Sequence, residues 1–187
     1  MNLKSAEPLV TSPAQPQVVP TKRTAQEGRF TTQDGVELFY RYWPSIPARP
    51  KGAILLFHRG HEHSGRMAHL VDELDLPDFA FFAWDARGHG RSPGERGYSP
   101  SIAVLVRDVQ DFVDHIGASF GIRSEDMGVI AQSVGAVLIA AWAHDFAPRI
   151  RCMVLAPPAF SVKLYVPFAR TALKLKHSWR GLFYVNS

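Results

Sequence analysis

Four short apolar runs punctuate the chain, and the residues between them carry apolar positions at helical spacing. Ala53 to Phe57 is continuously apolar, as are Phe79 to Trp84, Met127 to Ala131 with one glycine, and Met153 to Ala156. Runs of this length without alternation suit strands covered on both faces. Between the first two, Met67, Leu70, Val71 and Leu74 fall at i, i+3, i+4 and i+7, which predicts an amphipathic helix. Between the next two, a longer stripe runs from Ile102 through Leu105, Val106, Val109 and Val113 to Ile116, with Arg107, Asp108, Asp111 and Asp114 off it. Val134, Val137, Leu138, Ala141 and Trp142 mark a third helix before the last run.

Ahead of this alternation, Phe30 to Thr32 and Val36 to Trp43 flank an Asp34-Gly35 turn and predict a β-hairpin. Residues 1–29 carry four prolines among Ser, Thr, Gln and Ala with no period, and read as a flexible tail. The fold class is therefore α/β: a mostly parallel sheet with helices on both faces and an N-terminal hairpin, the core running over 30–156. Residues 157–187 are expected to begin a cap. In open sheets of this kind ligands bind at the carboxyl ends of the strands. Three loops lie there: 58–65, 85–97 and 132–135.

Composition narrows the class. A chain of 187 residues that is 46% hydrophobic and 20% charged has one good-sized core, too apolar for wholesale disorder, and no run reaches membrane-spanning length. The net charge of +4 suggests a nucleic-acid partner until it is located. All 17 acids lie at or before Asp145, together with 14 of the 21 basic residues, and the other basic residues follow without an acid. An acidic body with a basic end is not a phosphate-tracking face, so no nucleic acid is expected. Cys152 is the lone cysteine, which excludes an internal disulfide, and no apolar signal core opens the chain. A cytoplasmic location is the expectation.

The chemistry-bearing residues sit in the three loops. Ala131-Gln132-Ser133-Val134-Gly135 joins a strand to a helix, where a serine is either exposed on a sharp turn beside the positive helix end or is an ordinary N-cap. The catalytic reading is preferred. His58 to Gly65 holds three histidines and Glu62, but their spacing is not that of a zinc protease helix, so no metal and no cofactor is expected. Gly60 N–H and Val134 N–H are the candidate oxyanion donors. The segment Asp85 to Ser92 contains Gly88-x-Gly90 without a P-loop ending or a dinucleotide fingerprint, and Asp85 and Arg87 read as structural hydrogen-bonding residues.

Four ordered strings, HRGHEHSGR at 58–66, WDARGHGRSPGERG at 84–97, RDV at 107–109 and AQSVG at 131–135, resemble the α/β-hydrolase superfamily. The resemblance is closest to its monoacylglycerol lipase and lysophospholipase branch, the serine aminopeptidase S33 or Hydrolase_4 group, and covers residue 32 onward. It implies Ser133 as nucleophile, the main-chain N–H groups of Gly60 and Val134 as oxyanion hole, and a carboxylic ester or lipid as substrate; His58 and Asp85 are expected to support the loops. The sequence departs from the group at Arg59 and His61, which stand where glycines are usual, and at Gln132, where His is common.

The triad of such enzymes runs Ser, then acid, then His. After Ser133 the acids and histidines are Asp145, His144 and His177. The first two end the helix that Ser133 begins, roughly 16 Å away at 1.5 Å per residue, and His177 has no acid partner. The sequence thus predicts a truncated hydrolase, one that would associate with a missing C-terminal half. The rival is a noncatalytic protein of the same fold that binds a small ligand or partner. Residues 163–187 read as a cap element packing on further chain, with peripheral membrane contact the less favoured alternative.

Overall fold

A computed structural model describes residues 22–158. The cap assignment beyond Pro158, His177 and the lipid-contact reading of 163–187 lie outside the described residues, as does most of the Pro-rich tail. Six strands form one sheet in the order β1-β2-β4-β3-β5-β6. They are β1 (Gln26–Thr31), β2 (Glu37–Trp43), β3 (Gly52–Phe57), β4 (Phe79–Trp84), β5 (Met127–Ser133) and β6 (Cys152–Pro158). The first two form the antiparallel hairpin, and β2 also runs antiparallel to β4. Strands β3 to β6 are mutually parallel, each crossover carrying a helix: α1 (Ala68–Glu73), α2 (Ile102–Phe120) and α3 (Val134–Phe146).

The apolar runs are continuous because β3 and β4 are covered on both faces. On one face Leu55, Phe57, Phe82 and Trp84 pack with Val109, Phe112 and Ile116 of α2 and Ile139 and Trp142 of α3. On the other, Ile54, Leu56, Phe81 and Ala83 pack with Met67 and Val71, from the turn before α1 and from α1 itself. Odd and even residues of one strand thus feed two separate cores, as the two-residue side-chain period requires. Complete burial of one such large side chain contributes roughly 1.5–3 kcal/mol. The α2 helix starts where Ser101 accepts a bond from the Val104 N–H at 3.2 Å.

Two expectations shift. The hairpin begins at Gln26, inside the stretch read as tail, because β1 is a polar edge strand held by backbone pairing with β2 from Gln26↔Tyr42 to Thr31↔Glu37. Side-chain pattern carries no signal for such a strand. The last run, β6, is not buried: Cys152, Met153 and Val154 are exposed. It pairs only with β5 among the described residues and forms their sheet edge.

Candidate active site

Ser133 ends β5 and its successor begins α3. Its backbone lies at φ 52° and ψ −115°, outside the regions open to ordinary L-residues. An N-cap serine has extended backbone and accepts a hydrogen bond from the first helical turn. Ser133 has neither feature: its side chain makes no capping bond. The pairing with β6 also slips here, Gln132 facing Ala156 and Ser133 facing Pro158. The residue is half-buried, and Val134 beside it is exposed.

The turn is tight enough to dictate Gly135. A Cβ there would lie 2.5 Å from the His58 carbonyl oxygen and 3.0 Å from that of Phe57, both backbone atoms that cannot step aside. Gly135→Ala is expected to cost about 1–3 kcal/mol, the usual range for overpacking. Urea unfolding of the variant checks this; an unchanged midpoint would mean that the junction is looser than its geometry.

The same contact nests the turn against the loop after β3. A Cβ on Gly60 would stand 3.6 Å from Val134 Cγ2, so the two candidate oxyanion donors belong to neighbouring backbone segments. Buried His58 shapes this loop. Its Nδ1 lies 2.7 Å from the Arg59 carbonyl oxygen, and its Nε2 accepts from the Ala86 N–H at 3.1 Å. Since Nε2 accepts, the ring is neutral and Nδ1 donates. Burial is the main reason its pKa falls to about 4, with the nearby His89 ring, 5.2 Å away, pushing in the same direction. In a trans peptide the C=O and the following N–H point opposite ways. Holding the Arg59 carbonyl on His58 therefore turns the Gly60 N–H away from that ring.

Asp85, fully buried, ties the second loop to the first. Its carboxylate accepts from the Ser64 N–H at 2.5 Å and the Arg91 N–H at 2.8 Å. Gly90, at φ 49°, is required here, because a Cβ would meet Asp85 Oδ2 at 2.1 Å. Arg87 turns inward and donates to both oxygens of buried Asp108, at 3.0 and 2.7 Å, and to exposed Asp34 at 3.0 Å. The fork holds the guanidinium's pKa above its ordinary value, and its bond to Asp34 holds that carboxyl down at about 2. Burial pushes the Asp108 carboxyl up against the pull of Arg87. The pair is ionised at neutral pH, since arginine does not deprotonate in proteins.

Between these loops and the first turns of α2 and α3 lies a cleft of about 250 Å³. Its lining combines Gly60, His61 and His89 with apolar surface from Tyr98, Ile102 and Leu138. Val134 and Gly135 line it, while Ser133 itself is not among the lining residues. The exposed apolar surfaces of Tyr98, Ile102 and Val134 are thus gathered at one opening. Glu62 is engaged by Arg59 at 2.7 Å, which lowers its pKa, and among the described residues no three His, Cys, Asp or Glu side chains form a ligand group. His144 and Asp145 pair with each other at 2.8 Å, exposed at the far end of α3.

With this geometry in view, the family model for serine aminopeptidase, S33, matches residues 48–187. The chain belongs to the Hydrolase_4 family. YnbC of Escherichia coli K12 is 61% identical over 165 residues, which are 88% of this chain and 28% of YnbC. The monoacylglycerol lipase of Mycolicibacterium smegmatis is 30% identical over 73% of the chain and 48% of its own length. Human monoglyceride lipase is 34% identical over 67% of the chain and 40% of its own length. The chain therefore spans less than half the length of these relatives. Among solved structures, the α/β hydrolase GrgF of a Penicillium species superposes with a TM-score of 0.69 at 16% identity, over 84% of this chain and 54% of GrgF. The monoglyceride lipase of Saccharomyces cerevisiae superposes with a TM-score of 0.64 at 21% identity, over 91% of this chain and 56% of its own. The fold is that of the α/β hydrolases.

Sequence reasoning picked out the three loops but missed what joins them. The Arg87–Asp108–Asp34 bonds, the His58–His89 contact and the cleft-lining Tyr98 and Ile102 depend on tertiary proximity. The RDV string was a visible signal, since a buried arginine in the second loop needs an acid from elsewhere.

Proposed function

We propose that this Hydrolase_4 chain carries the nucleophile half of a carboxylic-ester hydrolase of the monoacylglycerol lipase type. The observation that carries the reading is the uncapped, positive-φ Ser133 at the β5–α3 junction. Its hydroxyl attacks the ester carbonyl, and the Gly60 and Val134 N–H groups receive the oxyanion, aided by the α3 N-terminus. The leaving alkoxide takes up the proton that the base removed from the serine, and water hydrolyses the remaining acyl-serine to the carboxylic acid and free Ser133. The base that takes the serine proton, and the acid that orients it, come from chain outside the described residues; His144 and Asp145 face away at the other end of α3.

A fluorophosphonate probe tests this without a known substrate. In the full chain the label is expected on Ser133 and is lost in Ser133→Ala, along with hydrolysis of p-nitrophenyl esters. Loss of the triad serine typically lowers turnover by several orders of magnitude. An unlabelled Ser133 in folded full-length protein favours instead a noncatalytic member of the fold.

A further inference from the structure

The cleft has a wall that no hydrogen bond explains. His61 sits at φ 60°, a left-handed conformation that costs a residue with a Cβ, although histidine visits it more readily than most. Its exposed imidazole lines the cleft, and a Cβ on Gly97 would lie 3.8 Å from His61 Cε1. The ring therefore reaches from the loop after β3 to the loop after β4, and the absence of a side chain at Gly97 leaves room for it. Strained residues persist where surrounding structure and use hold them.

The space that remains is small. Among the described residues the cleft measures about 250 Å³, below the roughly 300–1,000 Å³ usual for sites that enclose drug-sized ligands. Its apolar lining residues, Ile102, Leu105, Leu138 and Tyr98, suit an alkyl group rather than a charged one. Polar residues of the two loops, Arg59, His89 and Ser99 among them, also line the cleft. The imidazole spans the cleft between the loop after β3 and Gly97.

We infer that His61 is a specificity-determining residue whose imidazole closes the cleft against Gly97 and restricts the ester's acyl group to short chains. This rests on the hydrolase reading for its chemistry, but the wall itself can be tested without turnover. In the full chain, wild type is expected to favour p-nitrophenyl butyrate over the decanoate in kcat/KM. His61→Gly shifts that ratio at least about 5-fold toward the decanoate through KM, and His61→Asn, smaller and tolerant of the left-handed region, shifts it part of the way. Both variants keep the wild-type thermal midpoint or exceed it. In a Ser133→Ala background, calorimetry shows decanoate binding tightened by His61→Gly while butyrate binding is unchanged. Unchanged decanoate binding and an unchanged ratio overturn the role of His61. Tightened decanoate binding in a protein whose serine takes no label keeps the wall and overturns the hydrolase reading instead.

Discussion

Asp108→Ala lowers the unfolding free energy by about 3–5 kcal/mol, the usual cost of breaking a buried ion pair from one side. Asp108 and Arg87 are only 2% and 7% exposed, so deleting the carboxylate leaves a guanidinium in the interior whose remaining partner, Asp34, is at the surface. Solvent screens that outer contact, and Asp34→Ala is expected to cost no more than about 1 kcal/mol. The asymmetry is the test: two carboxylates bond the same guanidinium, and burial decides their effects. Urea titrations of both variants measure it, and equal midpoints would refute the argument.

Replacing both partners separates pair energy from abandoned charge. Arg87→Met with Asp108→Leu recovers much of what Asp108→Ala loses, because no unpaired charge then stays inside. Activity need not follow stability back. The Arg87 backbone carbonyl lies 3.0 Å from His89 Nδ1, and the adjacent Ala86 N–H holds His58. A double variant that is stable yet slack in this loop should label more slowly at Ser133 than the wild type does.

The parts of the molecule legible in the sequence are those governed by short-range periodicity. Phe79 to Trp84 is a strand because every residue is apolar and both faces are covered, and α2 follows its stripe from Ile102. The β5–α3 turn was legible because Ser133 stands between small Ala131 and Gly135 where a strand pattern gives way to a helix pattern; that its backbone takes positive φ in place of an N-cap's extended form was not. Edges were not legible. In β1, Gln26, Glu27 and Arg29 are polar edge residues whose partners, Tyr42, Arg41, Arg91 and Glu37, come from elsewhere in the chain, and in β6 the apolar pattern of a buried strand belongs to an exposed one. Burial depends on what lies alongside, and a run of residues does not encode its neighbour. The role of Arg87 needed the third dimension for the same reason, since its acid is 21 residues away. His61 stands between: its departure from glycine was visible, and only the fold shows that the position requires positive φ.

Acid weakens the fold through His58 before it reaches most carboxylates. Burial keeps this imidazole neutral until about pH 4, whereas in the unfolded chain it takes up a proton near pH 6.5. Between those values the unfolded state binds the extra proton, so stability rises with pH across the window. The contribution is complete above about 6.5, declines as pH falls and is gone by about 4, a loss of about 3 kcal/mol at 1.36 kcal/mol per unit. Asp34, held down at about 2, is lost only at lower pH. Glu62, also held down, adds its share near the bottom of the window. The event is local as well as global. A protonated Nε2 sets an N–H against the Ala86 N–H, breaking the bond that fixes the ring and releasing the Arg59 carbonyl that orients the Gly60 donor. His58→Asn, with no proton to gain in this range, is therefore less stable than wild type at pH 7 and shows a flatter dependence on pH between 7 and 4.5 in urea titrations. The rate of fluorophosphonate labelling per folded molecule should fall over the same interval in the wild type. Parallel stability curves for the two proteins would assign the acid sensitivity to other groups.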